Sequence, residues 1–269
     1  MRFSMNPENR NVRRFDGIAA LYESARPQLP VYPAQVIGRY LGRRPDTVVD
    51  LGCGTGLSTV VWEGRCRRVI GVEPNEGMLA VARRKESGAR TFIRAFAHET
   101  GLPEACADAV VCSQSFHWME PAPTLDEAAR LLADGGVFAA VDCDWPPVCG
   151  WPVEKAYDAL FEEVRKAERR HPEIAEGFRK WEKSGHLANI RSSGHFRYAR
   201  EIVFANEESC DAERMIALAR SQGGLQGILT ARPELIAEAL EAFERAVREY
   251  FAGKSLAVGF CYRMRVGVK

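Results

Sequence analysis

From about residue 46 to residue 141, short apolar runs alternate with stretches of helical spacing. Thr47 to Leu51, Arg67 to Glu73, Arg90 to Ala95, Asp108 to Ser113 and Val137 to Val141 read as five strands. The first of them, Thr47 to Leu51, reads as a strand buried on both faces, as strands of a parallel sheet are. Between them, Leu57 to Gly64, Glu76 to Ser87 and Leu125 to Leu132 carry helical spacing, the last stopped by Gly135-Gly136. Strand and helix in strict alternation predict a doubly wound α/β sheet. Ahead of it, Phe15 to Tyr22 and Ala34 to Leu41 read as helices separated by Pro27, Pro30 and Pro33.

Past residue 141 the pattern changes. Asp144-Trp145-Pro146-Pro147 and Gly150-Trp151-Pro152 break the chain, and Tyr157, Leu160, Phe161 and Val164 then recur at helical spacing. A charged stretch from Glu173 to Lys183, with Phe178 and Trp181, extends this into a helical insertion over residues 142 to 194. Its Arg and Lys residues interleave with Glu, which describes a solvated helix face. Phe196 to Phe204 alternates as a strand, Asp211 to Arg220 and Pro233 to Phe251 are amphipathic helices, and Ser255 to Val268 supplies a last strand.

Bulk properties narrow the class. The 269 residues are 46% hydrophobic, and 37 basic against 36 acidic side chains leave a net charge of +1. No overall field draws in nucleic acid or an anionic membrane. No apolar run approaches the ~20 residues of a membrane span. Met1 to Arg14 lacks the apolar segment of a secretory leader, so a cytoplasmic location is expected. Eight cysteines form no C-x-x-C pair and no zinc spacing, so no metal is expected and buried thiols are. Cys143 and Cys149 flank a strand end, where a site would lie.

The chemistry concentrates at Asp50-Leu51-Gly52-Cys53-Gly54-Thr55-Gly56, between the first strand and the helix expected after it. Alternate glycines let backbone approach a ligand closely. A dinucleotide fingerprint, G-x-G-x-x-G, would need glycine where Leu57 stands. Glu73 ends the second strand 21 residues after Gly52, near the separation at which a carboxylate meets a ribose. It also reads as a helix-start acid, since Pro74-Asn75-Glu76 opens a helix. At the carboxyl end of the fourth strand, where open parallel sheets bind ligands, stand His117 and Trp118. His117 either takes a proton or braces its loop, and Trp118 either walls a pocket or packs in the core.

The acid followed by G-x-G-x-G resembles the nucleotide-binding motif of class I S-adenosylmethionine (SAM) dependent methyltransferases. Four further stretches are similar to segments of that family: Leu21-Tyr22-Glu23-Ser24-Ala25-Arg26-Pro27, Phe96 to Pro103, Phe116-His117-Trp118 and Leu131 to Gly136. Phe-His-Trp matches a subset that contains trans-aconitate-type and related small-molecule enzymes. The resemblance implies a Rossmann-like, seven-stranded, mostly parallel sheet with a helical lid between strands 5 and 6. It implies a single domain over 1–269: cofactor-covering helices (1–45), SAM-binding core (46–141), lid (142–194) and sheet-completing elements (195–269).

It also implies roles. Asp50, Gly52, Cys53, Gly54 and Gly56 would hold the cofactor, with Glu73 on the ribose and Pro74, Asn75 and Met78 around the adenine. Phe96 and His98 depart from the family's usual glycine and acid, which leaves the adenine contact at Ala97, by backbone, with His98 beside it. Ser113 and Gln114 complete the cofactor set. Arg26 suits the SAM carboxylate, and Tyr22 lies one helical turn before it. His117 and Tyr22 are the catalytic candidates; His117, Trp118, Trp145 and Trp151 are the substrate candidates. The expected reaction is methyl transfer from SAM, leaving S-adenosylhomocysteine, to an oxygen, nitrogen or carbon of a small molecule, a carboxylate included. A monomer or homodimer without nucleic-acid or membrane partners would do this. An NAD(P)-dependent oxidoreductase, a nucleic-acid methyltransferase and a SAM-binding protein without catalysis are the alternatives.

Overall fold

The computed structural model describes residues 11–12, 17–174 and 179–269. The expectations resting on Met1–Arg10, Arg13–Asp16 and Phe178 lie outside the described residues. Packing divides the chain into two compact units: residues 1–27, 144–178 and 205–261 form one, and residues 28–143, 179–204 and 262–269 the other.

In chain order the elements begin with α1 (Ala19–Ala25), α2 (Tyr32–Leu41), β1 (Thr47–Leu51), β2 (Arg68–Val72), α3 (Glu76–Arg83) and β3 (Arg90–Ile93). There follow β4 (Ala107–Ser113), α4 (Pro121–Leu131), β5 (Leu132–Cys143), α5 (Trp151–Arg170) and α6 (His186–Ser192). The last are β6 (Tyr198–Cys210), α7 (Ala212–Arg220), α8 (Gly223–Ala231), α9 (Ala237–Phe251) and β7 (Leu256–Val268).

The seven strands form one sheet in the order β3-β2-β1-β4-β5-β7-β6. Strands β1 to β5 pair parallel, and Val137–Cys143 of β5 pairs antiparallel with Tyr262–Val268 of β7. The expected mostly parallel, seven-stranded α/β sheet is therefore present. Sequence order reverses between β1 and β4, the kind of switch point at which open α/β sheets bind ligands beyond the strands' carboxyl ends.

Every residue of β1 is buried. Its Val49 and Leu51 join Val110, Phe116, Leu125, Phe138, Ala140 and Ile190 in the main core of this unit. On the other side, Gly71 of β2 lets the Phe92 ring lie flat against the strand: a Cβ at residue 71 would sit 2.4 Å from Phe92 Cδ1 and 2.8 Å from Cys53 Sγ. The other unit is helical in its core. Tyr157 of α5 stacks on Phe161 at 4.3 Å and meets the edge of Phe243 of α9, beside buried Leu160, Val164, Leu240 and Val247.

Three local expectations give way. Only a 3-10 turn, Thr59–Trp62, forms where a helix over Leu57–Gly64 is expected. Thr59-Val60-Val61 is β-branched, and the Ser58 and Thr59 hydroxyls are committed to Asp50. Within the stretch Glu173–Lys183, expected to be helical, the described residues show 3-10 turns at Pro172–Ile174 and Lys183–Gly185, and Trp181 N–H donates to His117 O instead of to its own segment. Strand β5 starts at Leu132 rather than Val137, because Gly135 takes φ +76° and a bulge absorbs the extra residues against β4. Helix α6 falls within the helical insertion expected over residues 142 to 194, whereas α8 has no clear signal in the sequence, opening on Gly223-Gly224, which weakens helical spacing.

Replacing Gly71 with Ala is expected to destabilise the protein by about 1–3 kcal/mol through overpacking against Phe92, read as a lower urea midpoint at unchanged m value.

Candidate functional site

At the carboxyl ends of β1 and β2, two buried carboxylates organise the glycine loop. Asp50 Oδ2 accepts from the Ser58 and Thr59 hydroxyls, both at 2.7 Å. Its Oδ1 is buried and has no hydrogen-bond partner among the described residues. Glu73 Oε2 accepts from Gly54 N–H at 2.9 Å, and Oε1 from Asn75 N–H at 2.8 Å. Gly52 and Cys53 N–H both donate to Val72 O, which pins the loop's start to β2. Gly52, Gly54 and Gly56 all hold positive φ, +66°, +56° and +82°.

The three glycines have different reasons to be glycine. A Cβ on Gly52 would lie 2.5 Å from Met119 Cε and 2.7 Å from Ser115 Cβ, and one on Gly56 would crowd the Phe92 ring at 3.1 Å. At Gly54 a Cβ would meet nothing within 4 Å. Packing therefore requires the first and third, while the second faces open space, a cradle that a side chain would fill. Cys53 between them is buried, and burial pushes its thiol well up.

Beyond Glu73, Asn75 caps α3 by accepting from Met78 N–H at 2.9 Å. The helix-opening reading of Pro74-Asn75-Glu76 thus holds alongside any ligand role for Glu73. Met78 is buried, Ala97 is buried in the turn after β3, and the His98 ring lies 5.6 Å from Phe96. At the end of β4, Ser113 is followed by Gln114 at φ +57°, a conformation uncommon for a side-chain-bearing residue, with its N–H on Val141 O. Ser115 Oγ donates to Leu51 O at 2.7 Å and ties this segment to the glycine loop.

Phe116–Trp118 is a 3-10 turn. His117 is buried, and its Nδ1 lies 3.2 Å from Asp142 Oδ1 at the end of β5. Arg265 Nη1 of β7 donates to Asp142 Oδ2 at 3.0 Å, Lys183 Nζ lies 3.3 Å from Oδ1, and His186 Nε2 lies 3.5 Å from Oδ2. Arg265 Nε in turn donates to Glu201 of β6. Lys183 also donates to Cys143 O, and Lys180 Nζ lies 5.9 Å over the Trp118 ring. The potential ligand atoms of His117, Asp142 and His186 fall within 4.8 Å of one another. Arg265 and Lys183 already direct positive charge at the same carboxylate, which opposes a further cation.

Burial shifts the acids and the imidazoles in opposite senses. Asp50 is raised to about 6, its bonds to Thr59 and Ser58 working against burial, and Glu73 to about 7, partly through the Asp50 charge. Burial lowers His117 and His186 to about 4, Lys183 adding to it in both, so both rings are neutral at pH 7. His117 and Lys183 hold the Asp142 carboxyl well below the usual carboxylate range despite its burial.

The remaining candidates lie in the other unit. Arg26 follows α1, its Nη2 donating to Ser221 O at 2.9 Å and its guanidinium 5.0 Å from both the Tyr22 and Trp145 rings. Arg26 Nε is buried without a partner among the described residues. Trp145 also meets the Phe260 ring edge-on, and Trp151, at the start of α5, is 74% exposed. Local sequence pattern marks none of Asp142, Lys183, His186 and Arg265 as site residues. An acid at the carboxyl end of a third strand, after Asp50 and Glu73, was the available signal for Asp142.

Residues 49–140 match the family model described as a methyltransferase domain. An uncharacterised methyltransferase of Mycobacterium tuberculosis is 34% identical over 127 residues, 47% of this chain and 51% of that protein. A demethylmenaquinone methyltransferase of Clavibacter sepedonicus is 29% identical over 162 residues, 56% of this chain and 64% of that protein. The chain spans about half the length of the curated relatives it matches first. A solved structure from Anaeromyxobacter dehalogenans, provisionally assigned as a type II methyltransferase, superposes with a TM-score of 0.70 at 23% identity, over 90% of this chain and 97% of that one.

Stability should carry the two opposed signatures of these groups. A carboxyl whose folded pKa is raised binds more protons folded than unfolded between its two values, so stability falls as pH rises through that window. A buried histidine lowered to about 4 does the reverse between about 4 and 6.5. In the whole protein the contributions offset, and variants separate them. Relative to Glu73→Gln, the wild type is expected to lose stability between pH 5 and pH 7.5. Relative to His117→Gln it is expected to gain stability between pH 4.5 and pH 6.5. Each slope is at most about 1.4 kcal/mol per pH unit, read by urea unfolding without cofactor.

Proposed function

Residues 49–140 match a methyltransferase-domain family model, and the fold is shared with a solved methyltransferase-like structure; we propose that this chain is a class I, SAM-dependent methyltransferase that transfers a methyl group from SAM to a small-molecule acceptor. The observation that carries the reading is the loop itself: an open position above Gly54, whose N–H donates to the Glu73 carboxylate, and, at the end of β1, an Asp50 Oδ1 buried without a partner among the described residues. When bound, SAM supplies an electrophilic methyl group on a sulfonium. Everything else falls to the protein.

Glu73 would receive the ribose hydroxyls. Each of its oxygens has accepted one backbone N–H and keeps a lone pair for another donor. Pro74, Asn75, Met78, Ala97 and His98 would border the adenine, with Ser113 and Gln114 beside the glycine loop and Asp50 serving its geometry and the ligand's amino group. Tyr22 and Arg26 are proposed as further cofactor contacts, supported by the likeness of their segment and by a guanidinium whose Nε has no partner among the described residues. His117 and Trp118 are proposed on the acceptor side, with Trp145 and Trp151 as further acceptor contacts and Tyr22 as a second catalytic candidate. Methyl transfer is a direct displacement, so alignment of the acceptor and exclusion of water carry most of the rate. A small acceptor is supported by the demethylmenaquinone methyltransferase among the relatives and by a net charge near zero. A cytoplasmic monomer or homodimer is part of the same proposal. No helix among the described residues is long and apolar enough to cross a membrane.

Calorimetric titration is expected to show SAM and S-adenosylhomocysteine binding, and NAD(P) binding in their place would refute the proposal. Gly54→Ala is expected to weaken SAM affinity at least tenfold while the melting temperature moves little, positive φ costing roughly 1–2 kcal/mol. Gly52→Ala should instead lose stability. Catalysis is tested by release of S-adenosylhomocysteine against an acceptor panel.

A further inference from the structure

The buried charges around His117 say more than that a histidine stands near the acceptor. Asp142 stays ionised and so can only accept hydrogen bonds. The proton in its contact with His117 must therefore reside on Nδ1. On a neutral imidazole this leaves Nε2 as a lone pair, and the described residues supply Nε2 with no hydrogen-bond partner. The carboxylate is itself immobilised: Arg265 from β7 holds Oδ2, Lys183 flanks Oδ1, and Glu201 from β6 holds Arg265 from behind. The backbone of His117 is anchored separately, by Trp181 N–H on its carbonyl. His186 completes the surround at 3.5 Å from Oδ2, its ring edge-on to Phe116. Bracing of the loop alone would need none of the charges behind the imidazole.

We propose that Asp142 is a positioning residue: it fixes the His117 proton on Nδ1 and so presents Nε2 to an acceptor that carries a hydrogen, a hydroxyl, an amine or an acidic carbon. The inference rests on the methyltransferase reading above and narrows its acceptor class, setting carboxylates aside. The step balances. The acceptor's proton passes to Nε2, the electron pair left on the acceptor forms the bond to the methyl carbon, and the pair of the breaking carbon–sulfur bond stays on sulfur. The positive charge leaving the sulfonium is replaced by one on the imidazolium, next to the Asp142 carboxylate. Lys183 and Lys180 oppose that charge and Asp142 favours it, so the carboxylate makes the proton transfer feasible at this buried position.

Nitrogen-15 spectra of the wild-type protein at pH 7, with His117 assigned through His117→Gln, test the tautomer directly. A neutral ring protonated on Nδ1 is expected; a ring protonated on Nε2, or a cationic ring, overturns the proposal. Asp142→Asn, checked for folding by near-ultraviolet circular dichroism, is expected to move the proton to Nε2, since an amide can donate where the carboxylate accepted. Its kcat should then fall about 100- to 10,000-fold with acceptor KM and SAM affinity within about threefold. Unchanged kcat overturns the proposal, as does a panel in which carboxylates alone are methylated and His117→Gln is unimpaired. Failure of SAM to bind would refute the proposed function, while the spectra would still decide the tautomer.

Discussion

The arrangement depends on one costly act: two carboxylates, Asp50 and Glu73, are buried at the ends of adjacent parallel strands without an ion-pair partner among the described residues. Neutral donors hold them instead, two hydroxyls on Asp50 and two backbone N–H groups on Glu73. Burial without a counter-ion raises their pKa values, and it also dictates the loop, because the donors must come from Gly54, Asn75, Ser58 and Thr59. The missing helix after Gly56 follows from the same demand. Residues that would have built its first turn spend their hydroxyls on Asp50.

Asp142 is the opposite solution to the same problem. It too ends a strand in the sheet, but it is surrounded by Arg265, Lys183 and two imidazoles, and it is held ionised. Two acids poised near neutrality stand at the glycine loop and one permanently charged acid stands behind His117. Breaking such a buried pair by removing one partner typically costs about 3–5 kcal/mol, so this network is structural as well as chemical.

Much of the fold was legible because its signals are local. Val48 to Gly56 contains its own strand, turn and glycine register, and Glu73 could be placed by counting. The sheet's five parallel strands were found within a few residues. Less legible were features set by distant partners. Gln114 takes a left-handed conformation because its N–H reaches Val141 O, which nothing in its neighbours announces. Asp142, Lys183, His186 and Arg265 come from three separate segments, and their meeting depends on where β7 inserts. Glu173 to Lys183 had the composition of a helix, yet Trp181 bonds to the turn at His117.

That insertion of β7 has a consequence for how the protein is made. Val137–Cys143 finds its partner in Tyr262–Val268, more than a hundred residues later, and β6 lies beyond β7 in the sheet. While the chain emerges, β5 exposes an unpaired edge and Asp142 lacks Arg265. Pairings of such long separation form slowly, and an open apolar edge is the surface that chaperones shield and aggregation exploits. The charged residue that completes the His117 network is therefore delivered by the same late event that closes the sheet. A chain stalled before that event would hold an intact glycine loop beside an unfinished His117–Asp142 network.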